Sequence, residues 1–158
     1  MNEERLYFAY GSNMNLGQMT RRCPDAVALT PAVLHDYRLA FRGSGVATIL
    51  PCKGESVPGV LWCITPNSEA SLDRYEGVSA SLYGKSEAAV TDPTGKTHQA
   101  MVYIMNPCYR AACIPPPWYL EGIREGYAAF GIPAESLNKA VRQAQRAARA
   151  RHASLPCR

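Results

Sequence analysis

The chain has 158 residues, 47% of them hydrophobic, and a formal net charge of +4; it is long enough for one real core and too short for a second independent domain. No apolar run of about 18 residues occurs, and Glu3, Glu4 and Arg5 are followed at once by the first strand pattern, so the expected protein has no membrane span or secretory signal and is cytoplasmic. The charge is uneven: Lys139, Arg142, Arg146, Arg149, Arg151 and Arg158 follow Ser136 without an acid, leaving the preceding residues formally at −2, a catalytic domain with a basic end rather than a nucleic-acid-binding domain.

Leu6, Phe8 and Tyr10 alternate with Tyr7 and Ala9, the period of a strand with two faces to cover. Tyr10-Gly11-Ser12-Asn13 ends that strand: Gly11 permits a tight turn, and Ser12 and Asn13 suit the cap of a following helix. Such a turn reads either as an ordinary strand-turn-helix or as a cradle whose N–H groups converge on a carboxylate or an oxyanion. Residues 15–22 predict a short helix with Leu16 and Met19 inward, stopped by Pro24.

A strand is expected from Ala32 to Arg42, ending at Gly43 and Gly45, and then two apolar strands, 46–52 and 57–64, joined by a polar turn at Lys53–Ser56. Pro66-Asn67-Ser68 launches a helix containing Leu72, with Ser68 as its N-cap, which ends at Glu76-Gly77. Strands from Ser86 and from His98 form a hairpin around Pro93 and Gly95. After an irregular, proline-rich connection (108–117), residues 118–130 are helical by period, with Tyr119, Ile123, Tyr127 and Phe130 near one face and Gly131 as C-cap. A last helix from Glu135 to about Arg151 carries a thin stripe of Leu137, Val141, Ala144 and Ala148. The order predicts an α+β protein with a mixed or antiparallel sheet of five or six strands, curled toward closure with a pocket at one rim.

Glu76, in LDRYEGV, reads either as a surface acid at a helix end or as a carboxylate turned by Gly77 into a cavity, where burial raises its pKa to suit a base. Tyr83 and Tyr119 read as core tyrosines or as pocket walls; Arg42 and Arg74 are surface residues or distal-carboxylate contacts. Nucleotide loops of the GxGxxG or GxxxxGK type are absent, and Ser12 has no nucleophile spacing. Cys63 and Cys23 read as buried thiols, and His35, His98 and His152 with Cys108 and Cys113 form no recognisable ligand set, so no metal or other cofactor is expected.

FAYGSNM (8–14), GVATILP (45–51), VPGVLW (57–62), LDRYEGV (72–78) with Tyr83 following, and WYLEGIREGYAAFGIP (118–133) together resemble the gamma-glutamylcyclotransferase family over roughly residues 5–135. The resemblance implies a closed or nearly closed mixed β-barrel with flanking helices and a rim pocket. It makes residues 1–135 the catalytic domain and 136–158 a basic helix and tail packed on it or extending from it.

By the same resemblance Tyr10, Gly11, Ser12 and Asn13 bind a gamma-glutamyl head, Glu76 is the acid-base residue, and Tyr83 and Tyr119 bind substrate. The implied reaction is cyclisation of a gamma-glutamyl amide to 5-oxoproline with release of an amine or amino acid, without cofactor. The implied partner is a small gamma-glutamyl compound, free or linked to a carrier or protein; no membrane and no nucleic acid are expected, and the chain is a monomer or homodimer. The alternative is a noncatalytic ligand-binding or interaction module that keeps the same pocket.

Overall fold

A computed structural model describes residues 3–153. Five strands, β1 (Arg5–Ala9), β2 (Val27–Arg42), β3 (Val46–Ile64), β4 (Tyr83–Thr91) and β5 (Thr97–Met105), are joined by four helices in the order β1-α1-β2-β3-α2-β4-β5-α3-α4: α1 (Leu16–Arg22), α2 (Pro66–Tyr75), α3 (Pro117–Ala129) and α4 (Glu135–Ala153). The strands close into a barrel in the order β1-β3-β2-β4-β5. β1 and β5 complete it as a parallel pair with Tyr7 opposite Met101, and the other pairs are antiparallel. The α+β class and closed mixed barrel expected from the sequence are therefore present, with five strands.

β2 and β3 form one long hairpin, and here the structure departs from the expected elements. β2 begins at Val27 rather than Ala32, and β3 is a single strand through residues 53–56. Both halves of β3 pair with β2, so the chain never reverses at the polar stretch. The register instead jumps, with His35 opposite Ser56 and Tyr37 opposite Pro51, a bulge that leaves Asp36 at φ 65° and Gly54 at φ 86°. Asp36 Oδ1 accepts a hydrogen bond from the Gly54 N–H at 3.0 Å and fills the gap. β4 likewise starts early, at Tyr83, because Tyr83 pairs with Met105.

Two caps also differ. Asn15, not Ser12 or Asn13, caps α1, its Oδ1 accepting from the Gln18 N–H, while residues Ser12–Met14 form a 3-10 turn. Thr65 caps α2 by accepting from the Ser68 N–H at 3.2 Å; Pro66, which has no N–H to satisfy, takes the first helical position and moves the cap upstream of Ser68. Gly131 does follow α3 in the left-handed region, φ 65°.

The core runs from Phe8, Phe41, Ile49 and Leu61 in the barrel to Ile123 and Tyr127 of α3 and Leu137, Ala140 and Ala144 of α4, all buried. Gly59 lets β1 approach β3: a Cβ there would lie 2.4 Å from the Ala9 carbonyl oxygen and 2.6 Å from the Phe8 ring. Gly126 does the same for the 3-10 turn on α3, since a Cβ would fall 2.8 Å from the Met14 backbone. Cys23 is buried as expected. Cys63 is only half-buried, since its place opposite Leu6 turns the thiol out toward Glu4 Oε2 at 3.3 Å. No helix among the described residues is long and apolar enough to cross a membrane.

Candidate active site

Where β1 leaves the barrel, the turn Tyr10–Asn13 borders a cavity of about 210 Å³. Tyr7, Tyr75, Tyr83, Tyr103 and Tyr119 line it with the turn, with Glu76, and with Ser44, Val46, Ala47 and Leu82. The barrel supplies Tyr7, Tyr83 and Tyr103 from neighbouring strands, α3 supplies Tyr119 from its first turn, and α2 delivers Glu76 at its C-cap.

The end of α2 fixes Glu76. Its N–H donates to the Leu72 carbonyl at 2.8 Å, and Gly77, at φ 65°, turns the chain so that Val78 bonds back to the Asp73 carbonyl and Leu82 to that of Gly77. A carboxylate here gains nothing from the helix dipole, whose negative end it faces. Its Oε1 accepts from Asn13 Nδ2 at 3.2 Å. Burial pushes the carboxyl up to about 7, against the opposing pull of the Arg22 charge and the Asn13 hydrogen bond.

The phenols are held by specific bonds. Tyr83 donates to the Ala47 carbonyl, and Ala47 N–H donates to Tyr119 Oη at 2.9 Å. Tyr10 donates to the Tyr103 carbonyl, Tyr103 donates to Asp73 Oδ1 at 2.7 Å, and Tyr7 accepts from Asn13 Nδ2 at 3.0 Å. Burial raises Tyr7, Tyr10, Tyr83, Tyr103 and Tyr119 above the ordinary phenol range, so all five stay protonated at neutral pH and none is a base. Glu76 is the cavity-lining group that changes charge there.

A family model described as Gamma-glutamyl cyclotransferase, AIG2-like matches residues 7–121. The chain belongs to this family. Among curated relatives, gamma-glutamylcyclotransferase of Bos taurus is 34% identical over 148 residues, covering 87% of this chain and 77% of the relative. That of Homo sapiens is 35% identical over 147 residues with the same coverage. A solved structure titled gamma-glutamyl cyclotransferase superposes with a TM-score of 0.80 at 34% identity, covering 87% of this chain and 86% of that one. The chain is an enzyme of the gamma-glutamylcyclotransferase type.

The cavity brings together the site residues that the resemblance assigns: Tyr10, Gly11, Ser12, Asn13, Glu76, Tyr83 and Tyr119 all line it. Arg42 and Arg74 do not. Arg42 reaches the Tyr109 carbonyl and Arg74 the Ser71 hydroxyl, both at the surface.

Tyr7, Tyr75, Tyr103 and Arg22 were missed. Tyr7 directly precedes FAYGSNM and Tyr75 lies within LDRYEGV, so both are within reach of the recognised motifs. Tyr103 needed the β1–β5 pairing, and Arg22 the folding of α1 back over the turn.

Proposed function

We propose that this cyclotransferase closes a gamma-glutamyl amide onto its own alpha-amino group, forming 5-oxoproline and releasing the amine, with Glu76 as the proton carrier. The carrying observation is the Glu76 carboxyl, held near pH 7 on the wall of a small tyrosine-lined cavity. At about 210 Å³ the cavity is smaller than the roughly 300–1,000 Å³ of drug-sized sites, so it suits the gamma-glutamyl head and leaves the departing group at the mouth.

Glu76 takes a proton from the alpha-ammonium group. The freed amine attacks the gamma-carbonyl carbon, and a tetrahedral oxyanion forms. As the bond to the leaving nitrogen breaks, Glu76 returns the proton to that nitrogen, which would otherwise be expelled as a poor amide anion. In the same collapse the emptied carboxylate takes the extra proton of the ring nitrogen, so that a neutral lactam forms, and then passes it to the released amine, which leaves as its ammonium and restores Glu76. Nucleophile and electrophile share one molecule, so holding a cyclisable conformer supplies part of the roughly 7–11 kcal/mol available to well-oriented intramolecular reactions.

The hydrogen-bond directions suggest a division of labour. Tyr83 and Tyr103 have spent their protons on the framework and offer lone pairs, which suits the ammonium. Tyr119 accepts from Ala47 and keeps its proton to donate, which suits the oxyanion or the alpha-carboxylate, beside the turn Gly11–Asn13. The five cysteines among the described residues are free thiols, one of them exposed, which favours a reducing, cytoplasmic setting.

Glu76→Gln keeps the shape of the side chain and removes its basicity. Offered a panel of gamma-glutamyl amides, the parent is expected to release 5-oxoproline and the variant to lose at least about 10²-fold in kcat. Release at the parent rate by the variant would remove Glu76 from the mechanism. Binding without turnover by the parent across the panel would instead favour a ligand-binding module.

A further inference from the structure

Arg22 closes α1 and lies behind the cavity wall, not among the residues that line it. Its Nη1 donates to Asn13 Oδ1 at 2.6 Å and to Ser12 Oγ at 3.3 Å. The guanidinium carbon sits 3.6 Å from the centre of the Tyr75 ring, and the Tyr75 hydroxyl is 3.4 Å from Ser12 Oγ. One planar cation therefore touches both segments that flank the carboxylate: the 3-10 turn through Ser12 and Asn13, and the end of α2 through Tyr75, the residue before Glu76.

A guanidinium has donors only, so its bond to Asn13 dictates which way the amide faces. With Oδ1 held by Arg22, Nδ2 must face the other way, where Tyr7 Oη at 3.0 Å and Glu76 Oε1 at 3.2 Å receive it. A flipped amide would set an oxygen against the carboxylate. The groups facing Glu76 are Asn13 from the turn, Tyr7 and Tyr10 from and just beyond β1, Tyr83 from β4, Tyr103 from β5, Tyr119 from α3 and Tyr75 beside it. The phenols among them that burial affects remain neutral, so Arg22 supplies the charge that bears on the carboxylate.

We propose that Arg22 is a positioning residue for catalysis: it orients the Asn13 amide toward Glu76, and its charge keeps that carboxylate able to take a proton from substrate near neutral pH. This rests on the reading of Glu76 as the proton carrier. Lysine does not replace it fully, since an ammonium can supply charge but cannot stack flat on Tyr75 while donating to Asn13 and Ser12.

The test is the pH profile of 5-oxoproline release, together with a ¹³C NMR titration of the Glu76 carboxyl, assigned with Glu76→Gln. In Arg22→Gln, which is shorter and has no charge, the acidic limb of kcat/KM and the Glu76 midpoint should both rise by about one unit or more. Activity at pH 7 then falls about fivefold for a one-unit rise, more for a larger one, and recovers in alkali.

Arg22→Lys, the safer variant for folding, should keep both midpoints near the parent's while lowering kcat severalfold, because an ammonium that donates to Asn13 without the Tyr75 contact no longer fixes the amide's orientation. A uniform loss in Arg22→Gln with neither midpoint moved overturns the electrostatic role, and parent-like kcat in Arg22→Lys overturns the orienting role. A dead Glu76→Gln beside an unmoved Arg22→Gln sinks this inference alone; an active Glu76→Gln sinks the reading beneath it.

Discussion

Tyr83 and Tyr119 hold the same residue from opposite ends, Tyr83 donating to the Ala47 carbonyl and Tyr119 accepting from the Ala47 N–H at 2.9 Å. The two phenols are chemically alike, yet their spare valences differ: lone pairs on Tyr83, a proton on Tyr119. A strand from the barrel and a helix outside it are thereby fastened to one point on β3, and the cavity lies between them.

Phenylalanine at either position should therefore have distinct effects. Tyr83→Phe removes the partner of a buried carbonyl and weakens ground-state binding, so KM should rise. Tyr119→Phe removes a donor to developing charge, so kcat should fall more than KM changes. Each should cost about 1–3 kcal/mol in stability for the backbone group left unpaired. Because both act on Ala47, a double-mutant cycle in urea should show coupling above about 0.5 kcal/mol. Additive losses with no change in either kinetic constant would reduce both tyrosines to scaffolding.

Stability should fall as pH rises through the Glu76 titration. The folded carboxyl, at about 7, lies above its ordinary value of 4.5, so the folded state binds a proton more tightly than the unfolded chain. The associated stabilisation is complete below pH 4.5, is lost between 4.5 and about 7, and does not change further above that. At 1.36 kcal/mol per unit it amounts to about 3 kcal/mol at most. Denaturation of the parent and Glu76→Gln across that window should give curves that diverge with rising pH, the variant being the more stable at pH 8. Parallel curves would place the carboxyl at an ordinary value.

Gly126→Ala tests how the turn is seated. The added methyl would meet the Met14 backbone at 2.8 Å, and backbone cannot swing aside as a side chain can. Overpacking of this kind costs about 1–3 kcal/mol, more than the helix gains from alanine. A lower Tm is expected, with a drop in kcat because Asn13 adjoins Met14. Full activity with unchanged Tm would mean the turn and α3 can separate freely.

We propose that residues 136–153 complete the catalytic unit instead of standing apart from it; residues 154–158 of the expected basic tail lie outside the described residues. Leu137, Ala140 and Ala144 of α4 are buried in the core cluster, so truncation after Ser136 should expose apolar surface of β2 and lower Tm markedly. If the basic face served only to dock an acidic partner, the truncated chain would keep its stability and lose salt-dependent binding.

Much of this site was legible because its key parts are local. Tyr10–Asn13 is one turn, and Glu76 carries its own turning glycine, so short sequence windows contain both. The barrel was legible as adjacent strands without a regular helical alternation, though the β3 bulge looked like a hairpin because Lys53–Ser56 is polar in either arrangement. Tyr103 and Arg22 were hidden for a different reason. Tyr103 reaches the cavity through a parallel pairing of β1 with β5 that no window spans, and an arginine in the last turn of a helix already has a sufficient explanation in the helix dipole.

Asn15 caps α1 with its oxygen and, with its nitrogen, donates at 2.9 Å to the Gly122 carbonyl and at 2.9 Å to Glu125 on α3. A single amide thus bolts the segment that follows the Tyr10–Asn13 turn to the helix that carries Tyr119. Those two walls of the cavity must shift together or not at all. A tighter fit for one gamma-glutamyl tail over another has to come from lining residues outside that bolt, such as Ser44 between β2 and β3 and Leu82 between α2 and β4, and variation among related enzymes in what they release should be concentrated there.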